Sequence, residues 1–86
     1  MNVETYTIKV KSHIKGKHSL GLFGYIKDSK VCPYLNYKIL RQSNIIEQND
    51  CYGSVLGIYP LDTLLYPGDI IIVQYANIFM TNVTIQ

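Results

Sequence analysis

The chain has 86 residues, of which 48% are hydrophobic and 16% are charged, and its formal net charge is +2. This length allows one small domain, and this composition excludes a disordered chain. We expect a single domain over residues 1–86, with a core at residues 5–75 and an extension strand at residues 77–86. No apolar run is long enough to span a membrane as a helix, and residues 1–15 lack the apolar stretch of a secretory signal.

The charged residues are divided unequally between the two halves of the sequence. Residues 1–43 contain all eight Lys and Arg residues and two acids, a net charge of +6. Residues 44–86 contain four acids and no Lys or Arg, a net charge of −4. Such a division suits contacts between unlike faces of repeated copies, or it could steer a basic face toward an anion. Eight tyrosines without a tryptophan favour contact surfaces, because tyrosine joins an apolar body to a polar tip.

The first predicted elements are a strand, a polar connection and an ambiguous segment. Thr5–Lys11 alternates polar and apolar residues, which is typical of a half-buried strand. A basic connection follows at residues 13–18. Ser19–Lys27 is predicted to be a helix with Ser19 as its N-cap, although its two glycines disfavour a helix. The alternative is a strand whose one face is formed by Leu20, Leu22, Gly24 and Ile26.

A second helix is predicted at Pro33–Ser43. Proline suits the first position of a helix, because its missing N–H costs nothing there. Leu35, Ile39 and Leu40 have the spacing of one apolar helix face, and Asn44 would cap the end. Gly53–Tyr59 is then predicted to be a short strand.

The most regular signal in the sequence is Pro67-Gly68-Asp69, followed by the four β-branched residues Ile70–Val73. The first three residues are typical of a tight turn. Four β-branched residues in a row predict a strand covered on both faces, which we place at the centre of a sheet. Ile78–Ile85 is predicted to be a late strand at an edge that a neighbouring chain could complete.

Several of these segments together resemble a LysM domain, a small βααβ module. Tyr6–Lys11 matches its opening strand, and Gly16–Leu20 stands where the family usually has a Gly-Asp-Thr-Leu-like entry into helix one. Gln42–Ile45 stands where the family has an Asn followed by an apolar residue. Leu65–Val73 is close to the family's Leu-x-Pro-Gly-x-x-Leu-x-Ile ending. The resemblance implies an α+β fold, here a LysM-like βααβ core with an extra C-terminal strand.

Two features depart from this family and leave a second fold open. Lys17-His18 replaces the usual acidic residue, and Glu47–Leu65 is longer than the family's segment before the last strand. The alternative is a ubiquitin-like β-grasp with a hairpin, a helix at Pro33–Ser43 and strands at Gly53–Tyr59 and Ile70–Gln74.

No set of residues amounts to an active site, so we expect neither an enzyme nor a cofactor. Zinc-binding residue types occur at His13, His18, Cys32 and Cys51, but they lack the close pairs of a zinc finger. We therefore expect no metal. The two cysteines are expected to be free buried thiols, since a chain without a secretory signal begins in a reducing cytosol.

The sequence predicts a non-enzymatic structural subunit of a larger protein assembly. LysM-like folds occur as small subunits in contractile phage tails and baseplates, so the resemblance implies a virion tail or baseplate component. We expect it in a virion or in the cytoplasm, with other protein subunits or further copies of itself as partners. Nucleic acid is not an expected partner.

Two alternatives to an assembly subunit stay open. LysM domains bind glycans such as peptidoglycan and chitin, and the resemblance would place that groove at Gly16–Leu20 and Asn44–Ile46. A β-grasp fold would instead indicate a protein-interaction module. The candidate interaction residues are Gly16, His18, Ser19, Asn44, Ile45, Tyr66, Ile78 and Phe79.

Overall fold

The computed structural model describes residues 2–12 and 16–86, and these residues form seven strands and no helix. The strands are β1 (Glu4–Lys9), β2 (Ser19–Ile26), β3 (Tyr34–Arg41), β4 (Asn44–Tyr52), β5 (Gly57–Pro60), β6 (Ile70–Ala76) and β7 (Ile78–Ile85). They form a four-stranded antiparallel sheet in the order β1-β6-β3-β4 and a three-stranded antiparallel sheet in the order β5-β2-β7. The described part of the chain is therefore an all-β domain made of two sheets.

This architecture overturns the predicted α+β fold class, and with it both the LysM resemblance and the β-grasp alternative. Each of those folds needs a helix at Pro33–Ser43, where the chain forms β3 instead. The LysM fold also needs one at Ser19–Lys27, where the chain forms β2. Within the described residues, there is no helix long and apolar enough to cross a membrane.

β3 is a strand because its apolar residues repeat every second position. Leu35, Tyr37 and Ile39 are all buried and face the core together, which is the two-residue period of a strand. The helical interpretation used Leu35, Ile39 and Leu40 and left out Tyr37, whose ring is as buried as an aliphatic side chain. A chain reversal follows directly, because Gln42 and Ser43 both have positive φ, 50° and 67°. Two such residues form the tight turn of a β-hairpin, so Asn44 begins β4 and caps no helix.

β2 is likewise a strand because Leu20 and Leu22 point into the core, where both are fully buried. Gly21 and Gly24 then lie in a strand that has neighbours on both sides, β5 and β7. The two glycines already disfavoured a helix. The alternative prediction for this segment, a strand with alternating faces, is confirmed.

Three other predicted elements are confirmed. Thr5–Lys11 corresponds to β1, and Ile78–Ile85 is β7 with the same bounds. The Pro67-Gly68 turn is closed by a 3.0 Å hydrogen bond from the Asp69 N–H to the Tyr66 carbonyl, with φ 94° at Gly68. Positive φ at the third residue of such a turn is the reason that it needs glycine.

β6 is an interior strand, as predicted, but its two faces differ in burial. Ile71 and Val73 are fully buried, whereas Ile70 and Ile72 are half-buried on the outer face of the four-stranded sheet. β6 runs on into β7 through Asn77, whose φ is 64°. This residue takes the chain from one sheet to the other, and its side-chain amide holds Asp28 and Val31 through hydrogen bonds of 2.8–2.9 Å.

One buried cluster joins both sheets with the loop residues between β4 and β6. Its side chains are almost completely excluded from solvent, and they come from β2, β3, β6, β7 and two loops: Leu20, Leu22, Leu35, Ile39, Val55, Leu61, Leu65, Ile71, Val73 and Ile78. At roughly 1.5–3 kcal/mol for each large aliphatic side chain, this burial is the main stabilising contribution to the fold.

Candidate interaction surface

The outer face of the three-stranded sheet carries a group of exposed aromatic and aliphatic side chains, here called the aromatic surface. Its members are Phe23, Tyr25, Ile58 and Phe79, and they are 37%, 57%, 56% and 49% exposed. Since Leu20 and Leu22 point inward, the alternation of β2 sends Gly21, Phe23 and Tyr25 outward. Gly21 pairs with Ile58 of β5, and Tyr25 pairs with Phe79 of β7. The four side chains therefore share one face of the sheet.

Tyr25 and Phe79 form the most ordered part of this surface. Their rings stack at a centroid distance of 5.0 Å with 14° between the planes. Stacking across neighbouring strands fixes both rings before any partner arrives, which lowers the entropy cost of binding. Next to them, Thr81 donates a 3.1 Å hydrogen bond from its hydroxyl to the Phe23 carbonyl. The aromatic surface thus contains one stacked pair of rings and has the polar side chain of Thr81 at its border.

A second arrangement of side chains surrounds the Pro67-Gly68 turn. Arg41 binds both carboxylate oxygens of Asp69, with Nε to Oδ1 at 2.9 Å and Nη2 to Oδ2 at 2.8 Å. The same guanidinium donates to the Leu64 carbonyl at 2.9 Å and lies 4.9 Å from the centre of the Tyr66 ring. A pocket of about 290 Å³ opens here, lined by Arg41, Gln42, Tyr66, Pro67, Gly68 and Asp69. The Asp69 carboxylate already neutralises the Arg41 guanidinium. We therefore interpret these contacts of Arg41 with Asp69, Leu64 and Tyr66, here called the clamp, as a structural feature that stabilises the turn.

Asp69 should make this clamp sensitive to acid. The hydrogen bonds from Arg41, together with the Tyr66 N–H at 2.8 Å, hold the pKa of the buried Asp69 carboxyl below its ordinary value. Since the folded chain then holds this proton more weakly than the unfolded chain, the clamp stabilises the fold above pH ~4. That contribution should disappear as the pH falls through the lowered pKa.

Asp69→Asn should lower the free energy of unfolding by about 2 kcal/mol at neutral pH, because it leaves strong hydrogen bonds to a charged group unmade. Urea denaturation at several pH values measures this loss. The difference from the wild type should shrink below pH ~4, where the wild-type carboxyl is itself protonated. Asp62→Asn is the matched control, since Asp62 is exposed and should change stability little. An equal effect of both substitutions would contradict the clamp.

A third polar contact ties the edge strand β4 to the loop before β6. Glu47 accepts hydrogen bonds from the backbone N–H groups of Asp62 and Thr63, at 3.1 and 2.8 Å, through one oxygen. Its other oxygen accepts the Tyr37 hydroxyl at 3.1 Å. Burial, with the Glu47 charge beside it, raises the pKa of Tyr37 to about 12. Tyr37 therefore stays neutral at physiological pH and serves as a structural donor.

The predicted interaction residues are dispersed over the fold. Gly16 and His18 lie in the connection before β2, and His18 is buried with its Nδ1 3.1 Å from the Gln86 carbonyl. Ser19 begins β2 and exchanges backbone hydrogen bonds with Gln86. Ile78 is in the core. The other four are exposed at separate places: Asn44 and Ile45 at the start of β4, Tyr66 in the clamp, and Phe79 on the aromatic surface.

The groove implied by the LysM resemblance needs a helix that begins near Ser19, and the chain forms β2 there instead. Ser19 and Leu20 belong to the three-stranded sheet, and Asn44–Ile46 belongs to the four-stranded sheet. Of the predicted residues, Phe79 alone is part of the aromatic surface. Phe23, Tyr25 and Ile58 were missed. The strand alternative for β2 contained the signal for two of them, since Leu20 and Leu22 on one face leave Phe23 and Tyr25 on the other.

The residue types suited to metal binding or nucleophilic chemistry are scattered. His13 lies outside the described residues, and within those residues no three His, Cys, Asp or Glu side chains are grouped to hold a metal ion. Cys32 and Cys51 are free, as predicted, but Cys32 is exposed and Cys51 is half-buried where burial was expected for both.

Comparisons with protein-family models, with curated proteins and with solved structures give no match. The function of this chain must therefore be inferred from its own sequence and structure.

Proposed function

We propose that this chain is a non-enzymatic structural subunit of a protein assembly, and that the aromatic surface is where it meets another subunit. The observation that carries the proposal is the exposure of Phe23, Tyr25, Ile58 and Phe79 on one sheet face. Isolated exposed apolar side chains are common, but a contiguous group of this kind typically marks an interaction site.

The chemistry of the aromatic surface suits a protein partner. Aromatic side chains are enriched in the buried centre of protein interfaces, where charged residues are depleted. None of the four residues is charged. The stacked pair Tyr25 and Phe79 supplies a rigid anchor, and the hydroxyl of Tyr25 can bond a partner at the border. This arrangement has the expected anatomy of an interface, with an apolar centre and a polar rim.

The unequal division of charge along the sequence contributes less to this proposal than the aromatic surface does. Arg41 from the basic half pairs with Asp69 from the acidic half inside one chain. Part of the opposite charge of the two halves is therefore neutralised within the folded chain and is not available for a contact between copies. The virion tail or baseplate setting came from the LysM resemblance and stays an untested prediction.

The proposal is tested by replacing the stacked pair, Tyr25 and Phe79, and by measuring whether the variant chain is found in the assembly in the cells that produce it. A tagged Tyr25→Ser/Phe79→Ser variant should elute as a free small protein when native complexes are separated by size, whereas the wild type should elute with the assembly. The reason is that hot-spot aromatic residues each contribute about 2 kcal/mol or more to a protein interface.

Tyr52→Ser is the matched control, because Tyr52 is 69% exposed but belongs to the four-stranded sheet. It should elute with the assembly like the wild type. Circular dichroism of each purified variant must show the wild-type strand spectrum, so that unfolding is separated from loss of contact. A wild-type chain that elutes alone, or a double variant that stays in the assembly, would overturn the proposal.

A further inference from the structure

β7 is an edge strand that lacks the charged residues and the proline that usually protect such a strand against pairing. Its sequence, Ile-Phe-Met-Thr-Asn-Val-Thr-Ile, contains no charged residue and no proline. Edge strands are normally protected by charges, proline, a bulge or short length, and β7 has only a bulge, at Thr81. The other three edges follow that rule: β1 has Glu4 and Lys9, β4 has Glu47 and Asp50, and β5 has four residues and ends at Pro60.

The backbone hydrogen bonds show which groups of β7 are available at this edge. Ser19 and Gln86 exchange two hydrogen bonds, of 3.0 and 2.8 Å, between their N–H and carbonyl groups. In an antiparallel pair, the next residue along points its backbone groups the other way. The N–H and carbonyl groups of Ile85 and Val83 therefore point away from β2. Among the strands in the described part of the chain, β2 alone pairs with β7.

We propose that the segment Val83–Ile85 of β7 pairs antiparallel with the same segment of a second copy of this chain. This inference rests on the proposed function, since it names one partner in the assembly. A two-fold axis makes the two strands antiparallel, and it places Thr84 opposite Thr84 of the partner subunit. Val83 and Ile85 then exchange hydrogen bonds with Ile85 and Val83 of the partner subunit. The two sheets join into one of six strands.

Two observations favour a second copy over an unrelated strand. An uncharged strand can face itself without bringing like charges together, whereas self-pairing of β4 would bring the Glu47 and Asp50 carboxylates of both copies close together. Closed two-fold dimers with the same surface on both subunits are also the commonest oligomers. The joined sheet would place both aromatic surfaces on one face, which gives the rest of the assembly a larger contact.

The bulge in β7 explains why the proposed contact uses the second half of the strand. Phe23 pairs with Asn82 and Gly24 with Met80, so Thr81 is an extra residue without an opposite partner on β2. A bulge bends the strand and interrupts a ladder. Before it, Asn77 bonds the loop at Asp28 and Val31 beside the start of β7. The regular segment after the bulge is the one that a second strand can follow.

The test uses opposite charges at Thr84. Thr84→Lys alone and Thr84→Glu alone should each weaken the dimer about fivefold, because like charges would then lie directly opposite each other. An equimolar mixture of the two variants should associate more tightly than either alone. Analytical ultracentrifugation measures the dissociation constants, and native mass spectrometry shows whether the mixed dimer exceeds the statistical fraction.

The matched control is the same pair of substitutions at Thr7, an exposed threonine on the edge strand β1, which should leave the dissociation constant unchanged. Hydrogen exchange gives a second readout, since the Val83 and Ile85 amides should be protected at high concentration and exchange rapidly after dilution. A monomeric wild type at millimolar concentration, or Lys and Glu mixtures that follow statistics, would overturn the pairing. If the pairing fails this test but Tyr25→Ser/Phe79→Ser is still lost from the assembly, only the strand contact is wrong and the proposed function stands.

Discussion

Ile71→Asp should leave this chain unfolded at neutral pH, whereas Ile72→Asp, one residue away on the same strand, should allow it to fold. Ile71 is fully buried and pairs with Ile8 and Ile39 in the neighbouring strands β1 and β3. An aspartate there would place an unpaired carboxylate among aliphatic side chains, which costs several kcal/mol even if the carboxyl takes up a proton. The whole free energy of unfolding expected for this length is only roughly 4–13 kcal/mol.

Ile72 provides the control because it has the same chemistry and the opposite orientation. It is half-buried on the outer face of the four-stranded sheet, beside Thr7 and Lys38 in the register. A carboxylate at this position keeps access to water and can lie near the Lys38 ammonium group. We expect its cost to be about 1 kcal/mol, as for most single substitutions.

Circular dichroism and thermal melting of the two variants measure this difference. Ile71→Asp should lack a cooperative transition, and Ile72→Asp should keep one at a slightly lower temperature. If Ile71→Asp melted like the wild type, β6 could not be the interior strand. If both variants were unfolded, Ile72 could not lie on a face that is open to water.

The parts of the fold that could be predicted from the sequence are those set by short-range chemistry. The Pro67-Gly68 turn needs only the fixed φ of proline and a positive φ at glycine. β6 needs only a run of β-branched residues, and β1 and β7 need only their own composition. Each of these signals lies within a few residues and has few competing interpretations.

β2 and β3 could not be assigned from the same kind of signal, because each fits two periodicities. In β3 the decisive residue is Tyr37, whose ring is buried while its hydroxyl reaches Glu47 on β4. The partner that satisfies this hydroxyl lies on the next strand, ten residues further along the chain, so the helix pattern of Leu35, Ile39 and Leu40 could not be rejected from that segment alone. The tertiary contacts overrode a plausible local preference.

The candidate site was predictable only in part for the same reason. Phe79 was among the predicted interaction residues, as an aromatic residue of a late strand. Its neighbours on the aromatic surface depend on the pairing register, which brings Tyr25 and Ile58 to the same face from two other strands. Register comes from the packing of both sheets together, and no single segment contains it.

Gly24→Ala should cost about 3 kcal/mol and should also disrupt the aromatic surface. A methyl group at Gly24 would overlap the carbonyl oxygen of Phe79 and would lie 3.0 and 3.1 Å from the Phe79 carbonyl carbon and the Met80 Cα. These are backbone atoms of the paired strand, so β2 and β7 must separate at the bulge to admit it. Overpacking of this kind typically costs about 1–3 kcal/mol, and more where backbone must move.

Gly21→Ala is the control on the same strand. A methyl group there would meet only side-chain atoms, Thr84 Oγ1 at 2.7 Å, Phe23 Cε2 at 2.8 Å and Gln86 Nε2 at 3.1 Å. Because these side chains can rotate, we expect a loss of about 1 kcal/mol or less.

Urea denaturation followed by circular dichroism compares the two variants, and a larger loss for Gly21→Ala would show that the close approach at the bulge is wrong. Because the clash displaces Phe79 from the Tyr25 ring, Gly24→Ala should also weaken entry into the assembly in the remaining folded protein, whereas Gly21→Ala should leave the stacked pair of Tyr25 and Phe79 in place.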